Sequence, residues 1–245
     1  MGSRGTVQFF PTCLVNELFP EAGMAAVRVL ERLGFAVELP IGLTCCGQPA
    51  YNAGFHDDAR LVVRHTLDVL ASTAGPIVVP SGSCTDMLVH QYAELFHDDA
   101  QDADRARAVA ARCREFSQFV AEHGGAQLAA QLTARVAYHP SCHLLRGLGV
   151  RSEPETLIRM IGGVTSVPFT EQEECCGFGG LFSIKNPDIS GSMLDRKLTA
   201  IVASGADRLV SCDLGCLLHL EGGLRRRGAV IKAQHVAELI DEALT

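Results

Sequence analysis

The chain has 245 residues and a net charge of −7, with 47% hydrophobic and 20% charged residues. That balance suits a globular protein able to build its own core, and it excludes bulk disorder. The acidic excess argues against a nucleic-acid binder, which needs basic groups to neutralise phosphates.

In chain order, the start Met1-Gly2-Ser3-Arg4-Gly5-Thr6 fits a loose myristoylation pattern and reads more simply as a short leader. No basic region followed by an apolar stretch marks a signal peptide. No apolar run of about 18 residues predicts a transmembrane helix. A β-type run, Val7 to Phe10, ends just before Pro11-Thr12-Cys13. Ala22 to Leu33 has helical spacing, with Ala25, Ala26, Val29, Leu30 and Leu33 on one face. A second strand, Ala36 to Leu39, leads to Cys45-Cys46-Gly47. A long helix is expected from Asp57 to Ala71, with Asp57 and Asp58 as caps. A third strand, Ile77 to Pro80, runs into Gly82-Ser83-Cys84. Cys113 falls on an expected amphipathic helix as a buried thiol, and Glu115 to Val120 closes the half.

The second half repeats the first. Strand Arg135 to Tyr138 leads to Pro140-Ser141-Cys142, helix Glu153 to Ile161 follows, and strand Val164 to Val167 precedes Cys175-Cys176-Gly177. A helix from Pro187 to Ser204, a strand Arg208 to Ser211, and Leu214-Gly215-Cys216 come next. Strand Val230 to Ala233 and helix His235 to Ile240 close the chain. Cys13 and Cys142 lie 129 positions apart, Cys45 and Cys175 130, and Cys84 and Cys216 132. This is a tandem duplication of a unit of roughly 130 residues, divided here as 1–126 and 127–245. Strands alternating with helices predict an α/β fold with mostly parallel strands and a pseudo-twofold relation between the units.

Parallel strands end along one sheet edge, where open α/β sheets place their ligands. Cys13, Cys45, Cys46 and Cys84 can therefore converge, and so can Cys142, Cys175, Cys176 and Cys216. Four thiolates at one point suit an iron–sulfur cluster or a Cys₄ zinc site. The two-cluster ferredoxin run, paired zinc-knuckle hairpins and the thioredoxin C-x-x-C are all absent. A disulfide scaffold is disfavoured because such frameworks belong to short secreted chains.

The pattern of one Cys, then 31 residues, then Cys-Cys-Gly, then 37 residues, then Cys, with 32 and 39 in the second half, resembles the CCG-domain family. Tyr138-His139-Pro140-Ser141-Cys142-His143-Leu144-Leu145-Arg146, Cys175-Cys176-Gly177-Phe178-Gly179-Gly180 and Asp213-Leu214-Gly215-Cys216-Leu217 resemble its lactate-utilisation branch most. The resemblance implies an iron–sulfur electron-transfer subunit of a cytoplasmic complex oxidising L-lactate to pyruvate. It implies one cluster per unit, of [4Fe–4S] type, held by the eight cysteines, with zinc in one unit as the alternative. The implied partners are the ferredoxin-like lactate-utilisation protein B and a third small protein, C. The chain would then be a component of an oxidoreductase rather than a complete enzyme. Other readings are a heterodisulfide or thiol–disulfide reductase subunit, a glycolate oxidase-type iron–sulfur subunit, or a zinc-binding scaffold without redox chemistry. Heterodisulfide reductase relatives carry a fifth Cys per unit, and here Ser81 and Asp213 stand in its place.

The remaining candidates read as structural residues first. His139, His143 and His219 are expected at strand ends or on backbone, with sulfur tuning or zinc ligation as the alternative. Arg146 and Lys185 are candidates to offset cluster charge or bind a carboxylate. Glu171, Glu173 and Glu174 read as a solvated loop, and Arg225 to Arg227 as an exposed turn. Cys212 is a candidate fifth ligand. There is no G-x-G-x-x-G for a dinucleotide.

Overall fold

The computed structural model describes residues 4–125 and 128–245. Residues 1–3, which open the leader and its myristoylation pattern, and the 126/127 division fall outside that set. The first half holds β1 (Thr6–Phe9), α1 (Cys13–Glu17), α2 (Pro20–Arg32), β2 (Ala36–Glu38), α3 (Gln48–Asn52), α4 (His56–Ala71) and β3 (Ile77–Val79). It continues with α5 (Gly82–Asp86), a π-helical turn (Met87–Gln91), α6 (Tyr92–Leu95), α7 (Ala100–Arg112), β4 (Cys113–Glu115) and α8 (Phe116–Glu122). The second half holds β5 (Gln131–His139), a π-helical turn (His143–Gly147), α9 (Ser152–Arg159), β6 (Gly162–Ser166), α10 (Leu181–Lys185) and α11 (Pro187–Ala203). β7 (Arg208–Ser211), α12 (Leu214–Arg226), β8 (Lys232–His235) and α13 (Val236–Leu244) complete it.

Two four-stranded parallel sheets result, ordered β2-β1-β3-β4 and β6-β5-β7-β8. The orders match strand for strand, as a duplicated α/β unit requires. The central strands read as apolar runs because both their faces are covered. Val7, Ile77, Val78 and Val79 are fully buried.

Each sheet has one face toward its own outer helices and one toward the other unit. The outer core of the first unit gathers Phe10, Val63, Leu67, Met87, Tyr92 and Phe96. That of the second gathers Leu194, Leu198, Ile201, Leu209 and Leu220. A third core is shared. Phe9, Val29, Leu30, Phe116 and Phe119 of the first unit pack with Tyr138, Leu157, Val236 and Ile240 of the second. Helices α2 and α13 meet across this core. Their apolar stripes explain the pairing, and Arg28 holds Asp241 at 2.7 Å at its margin.

Several local expectations are corrected. Phe55, not Asp57 or Asp58, occupies the N-cap of α4. The two aspartates lie in its first turn, where they complement the helix dipole. Cys113 is buried as expected, but it opens β4 rather than lying on a helix. Arg225 and Arg226 form the last turn of α12, and Arg227 caps it while bonding Asp195. The region after Cys13 holds two helices instead of one.

Candidate metal centre

The six cysteine-bearing turns, three in each unit, follow the C-terminal ends of strands. Four of the cysteine positions sit at helix starts with side-chain caps. Thr12 Oγ1 accepts from Val15 N–H at 3.3 Å, directly before Cys13. Ser81 Oγ accepts from Cys84 N–H at 3.3 Å. Asp213 Oδ1 accepts from Gly215 N–H at 3.1 Å and from Cys216 N–H at 3.4 Å. Ser141 repeats the motif before Cys142, accepting from Leu144 N–H at 3.3 Å. Short oxygen-bearing residues are favoured here because they satisfy the orphan N–H groups of the first turn. The positions of the missing fifth cysteines are therefore filled by capping side chains.

The Cys-Cys-Gly turns are built alike. Gly47 has φ +84° and Gly177 φ +90°, a region that favours glycine. Each glycine N–H points at the first sulfur of its pair: Gly47 to Cys45 Sγ at 3.4 Å, Gly177 to Cys175 Sγ at 3.3 Å. A Cβ on Gly177 would meet the Ser190 carbonyl oxygen at 2.7 Å. The glycine thus answers a backbone turn and a helix contact.

Each set of four comes together. Cys46 and Cys84 sulfurs lie 3.3 Å apart, as do those of Cys176 and Cys216. Cys13 lies close enough to Cys45, and Cys142 to Cys175, for the members of each pair to perturb each other's thiol. The Cys13 thiol, the Cys46 thiol and the backbone pull Cys45 far below the ordinary thiol range, and Cys175 is lowered in the same way by Cys142 and Cys176. The contact with Cys45, burial and the nearby sulfur charges push Cys13 up, and Cys142 follows suit. All ten cysteines are free thiols.

The two sets do not sit on opposite faces of the molecule. Cys13, Cys46 and Cys84 line one cavity of about 240 Å³ together with Cys142, Cys175, Cys176 and Cys216. Cys45 lies just behind its lining, packed against the same core as Cys46. Soft sulfur donors in fours, free of disulfides and grouped by backbone turns, fit a thiolate-bound metal or iron–sulfur group.

Cys212 lies elsewhere. It is fully buried in the shared core, 3.8 Å from the Tyr138 hydroxyl. His219 bonds Ser190 at 3.3 Å, a structural role. Arg146 holds the Glu173 carbonyl at 2.9 Å, and Arg151 pairs with the Glu173 carboxylate, so the acidic loop is tied down. His143 lines the cavity and is held at 2.6 Å by Asp86 of the first unit, which also bonds His90. Lys185 ends α10.

The lysine that matters was not singled out by sequence. Lys197 Nζ is buried, donates to the carbonyls of Glu171 and Gln172 at 2.5 and 3.1 Å, and lies 3.3 Å from His139 Nδ1. A ring nitrogen of His139 and the sulfurs of Cys176 and Cys216 lie within 4.8 Å of one another. The sequence carries no local signal for it: Lys197 follows Asp195-Arg196 in α11 and reads as an ordinary helix lysine.

A profile of the cysteine-rich domain named CCG matches residues 7–89 and 136–221, the two stretches that carry the paired cysteine sets. The chain belongs to the CCG cysteine-rich domain family. Within it, the chain is 41% identical over 240 residues to lactate utilization protein A of an Exiguobacterium species, covering 97% of this chain and 98% of that one. The protein of that name from Macrococcus caseolyticus is 40% identical, covering 98% of each. Its namesake from a Geobacillus species is 39% identical, covering 96% of this chain and 98% of that one. Likeness to solved structures is slight: an aspartate racemase homologue from Pyrococcus horikoshii gives a TM-score of 0.35 at 12% identity, covering 100% of this chain and 97% of that one. Among the described residues, no helix is long and apolar enough to cross a membrane.

Proposed function

We propose that this CCG-family chain is the iron–sulfur electron-transfer subunit of an L-lactate-oxidising assembly. In this reading Cys13, Cys45, Cys46 and Cys84 hold one cluster, and Cys142, Cys175, Cys176 and Cys216 hold another, each of [4Fe–4S] type. The carrying observation is the common cavity onto which both sets open. Two centres facing one cavity suit the passage of electrons between them. A bound cluster supplies one-electron exchange, while the chain supplies thiolates and the glycine N–H groups aimed at Cys45 and Cys175. The lactate link rests on the name shared by relatives that match nearly the whole chain. Electrons would be exchanged with a ferredoxin-like partner and a third small subunit, the lactate-utilisation proteins B and C. The site of action is the cytoplasm, where thiols stay reduced. The units divide near 126/127.

A disulfide-reducing role is less well supported. The fifth-cysteine positions are Ser81 and Asp213, and both oxygens are engaged as helix caps. A mononuclear zinc in the second unit is favoured by the grouping of His139, Cys176 and Cys216. It is opposed by Lys197, a donor, on the far ring nitrogen, where a ligating histidine normally finds an acceptor.

The test is iron, sulfide and zinc analysis with EPR on the anaerobically purified chain, followed by addition of L-lactate with and without the two partners. Iron and sulfide in both units, with lactate-dependent reduction only in the assembly, is the expected result. Stoichiometric zinc without sulfide would overturn it.

A further inference from the structure

The two cysteine sets repeat each other, but their surroundings do not. The residue before Pro140 is His139, and the residue before Pro11 is Phe10. Lys197 lies 21 residues after Cys176, and Leu67 lies 21 residues after Cys46. All four side chains are buried. The second unit therefore places a histidine and a lysine where the first places a phenyl ring and an isobutyl group.

The polar pair is built into the fold. The Lys197 ammonium has three protons and three acceptors in reach: the Glu171 carbonyl, the Gln172 carbonyl and His139 Nδ1. Glu171 is, among the described residues, the one non-glycine with positive φ, at 66°. That backbone conformation is uncommon outside glycine and sets the carbonyl that binds Lys197. With Nδ1 accepting from Lys197, the neutral imidazole carries its proton on Nε2. The ring is fully buried. Nε2 is buried and has no hydrogen-bond partner in the protein. The ring stands beside the Cys176 and Cys216 sulfurs. An N–H left without an oxygen acceptor, next to a pair of sulfurs, is a donor to whatever those sulfurs hold.

The surface repeats the contrast in charge. Arg146 follows Cys142 by four residues, where Glu17 follows Cys13 by four.

We infer that His139 and Lys197 make the second set the more easily reduced of two unequal centres, so that electrons run from the Cys13 set to the Cys142 set. The inference rests on the cluster reading above. Hydrogen bonds to sulfur and added positive charge both stabilise the reduced, more negative state of a cluster, and so raise its potential. Phe10 and Leu67 offer neither. Cys13, Cys45, Cys46 and Cys84 would hold the centre that takes one electron from a one-electron donor, and Cys142, Cys175, Cys176 and Cys216 the centre that would give it up to a one-electron acceptor of the ferredoxin type, with no proton or covalent bond changing hands within the chain.

The experiment is an EPR-monitored redox titration of the full chain after anaerobic reconstitution, with iron and sulfide measured on each sample. The wild type should give two midpoints. Cys176→Ser should remove the upper one and Cys46→Ser the lower. His139→Phe, the residue of the first unit, should move the upper midpoint down and leave the lower in place. Lys197→Met keeps the length of the side chain without its charge and should do the same, which covers the case in which His139→Phe fails to fold. Loss of the lower midpoint in Cys176→Ser would overturn the inference. So would unmoved midpoints in every folded His139 or Lys197 variant that retains wild-type iron and sulfide. A wild-type chain without iron and sulfide would instead remove the cluster reading itself.

Discussion

The Asp213 carboxylate, which caps the helix bearing Cys216, accepts a hydrogen bond at 2.9 Å from the backbone N–H of Ser83, in the first turn of the helix bearing Cys84. One side chain thus serves the starts of two cysteine helices from two units. The Ser81 hydroxyl adds a bond at 3.3 Å to the same oxygen, and Gly82 N–H reaches the Cys212 carbonyl at 3.2 Å. Ser81 and Asp213 therefore join the units as well as capping their helices.

Asp213→Ala should cost more than an ordinary cap. A single lost N-cap costs about 0.5–2 kcal/mol, and here a second helix start loses its acceptor too. Denaturant unfolding should give a loss at or above the top of that range, with Asp213→Asn recovering part of it. A loss indistinguishable from that of Ser141→Ala, a cap within one unit, would argue against the bridging role.

Cys45→Ser and Cys175→Ser should each lower the iron and sulfide content to about half and leave the other unit's EPR signal. Cys113→Ser and Cys212→Ser should leave metal content unchanged. Each would instead destabilise the fold by about 1–3 kcal/mol, the cost of a buried hydroxyl without a full set of partners. Loss of iron in Cys212→Ser would return that thiol to the ligand set.

Gly177→Ala should be more damaging than Gly47→Ala. Both positions have positive φ, but the added methyl meets the Ser190 carbonyl oxygen at 2.7 Å in one case and a Val63 methyl at 3.1 Å in the other. A side-chain methyl can turn aside, whereas a helix carbonyl cannot without disturbing its own bonds. Thermal melting of the two variants compares them directly, and an equal or smaller loss in Gly177→Ala would refute the ranking.

Glu115 should leave a mark on the pH dependence of stability. It caps α8 from a fully buried position, and burial raises its pKa from the ordinary 4.5 to about 7. The unfolded chain releases this proton first. Stability from this group is therefore full below the unfolded pKa and is lost as pH climbs toward the folded one. Glu115→Gln should abolish that slope, worth at most about 3 kcal/mol across the interval. Parallel stability profiles for the two proteins would show that Glu115 does not titrate there.

Much of this architecture could be read from the chain. The repeat, the parallel strands and the eight paired cysteines all follow from strong local patterns: apolar runs, helical spacing and recurring Cys-Cys-Gly. What escaped were features that depend on how the units meet. β4 is three residues, Cys113-Arg114-Glu115, without an apolar run, because it lies at a sheet edge and its glutamate turns inward to cap a helix. Arg225 and Arg226 lie beside Gly223 and Gly228 and so resembled a turn, yet α12 runs through Gly222 and Gly223, where the Gly223 backbone packs close to Leu194 and Leu198. Lys197 looked like an ordinary helix lysine, since nothing local tells that its amine finds carbonyls from a loop 25 residues earlier. The common cavity required both sets to face one another, which spacing along the chain does not encode.

Joining the two copies in one polypeptide also has an evolutionary consequence. A dimer of identical units is bound by its axis to present the same side chains at both sites, so any substitution is made twice. In a tandem chain each copy mutates alone. Phe10 can stay a phenylalanine while its counterpart is His139, and Leu67 can stay a leucine opposite Lys197. The fusion keeps the geometry of a symmetric pair and frees its halves to diverge in chemistry.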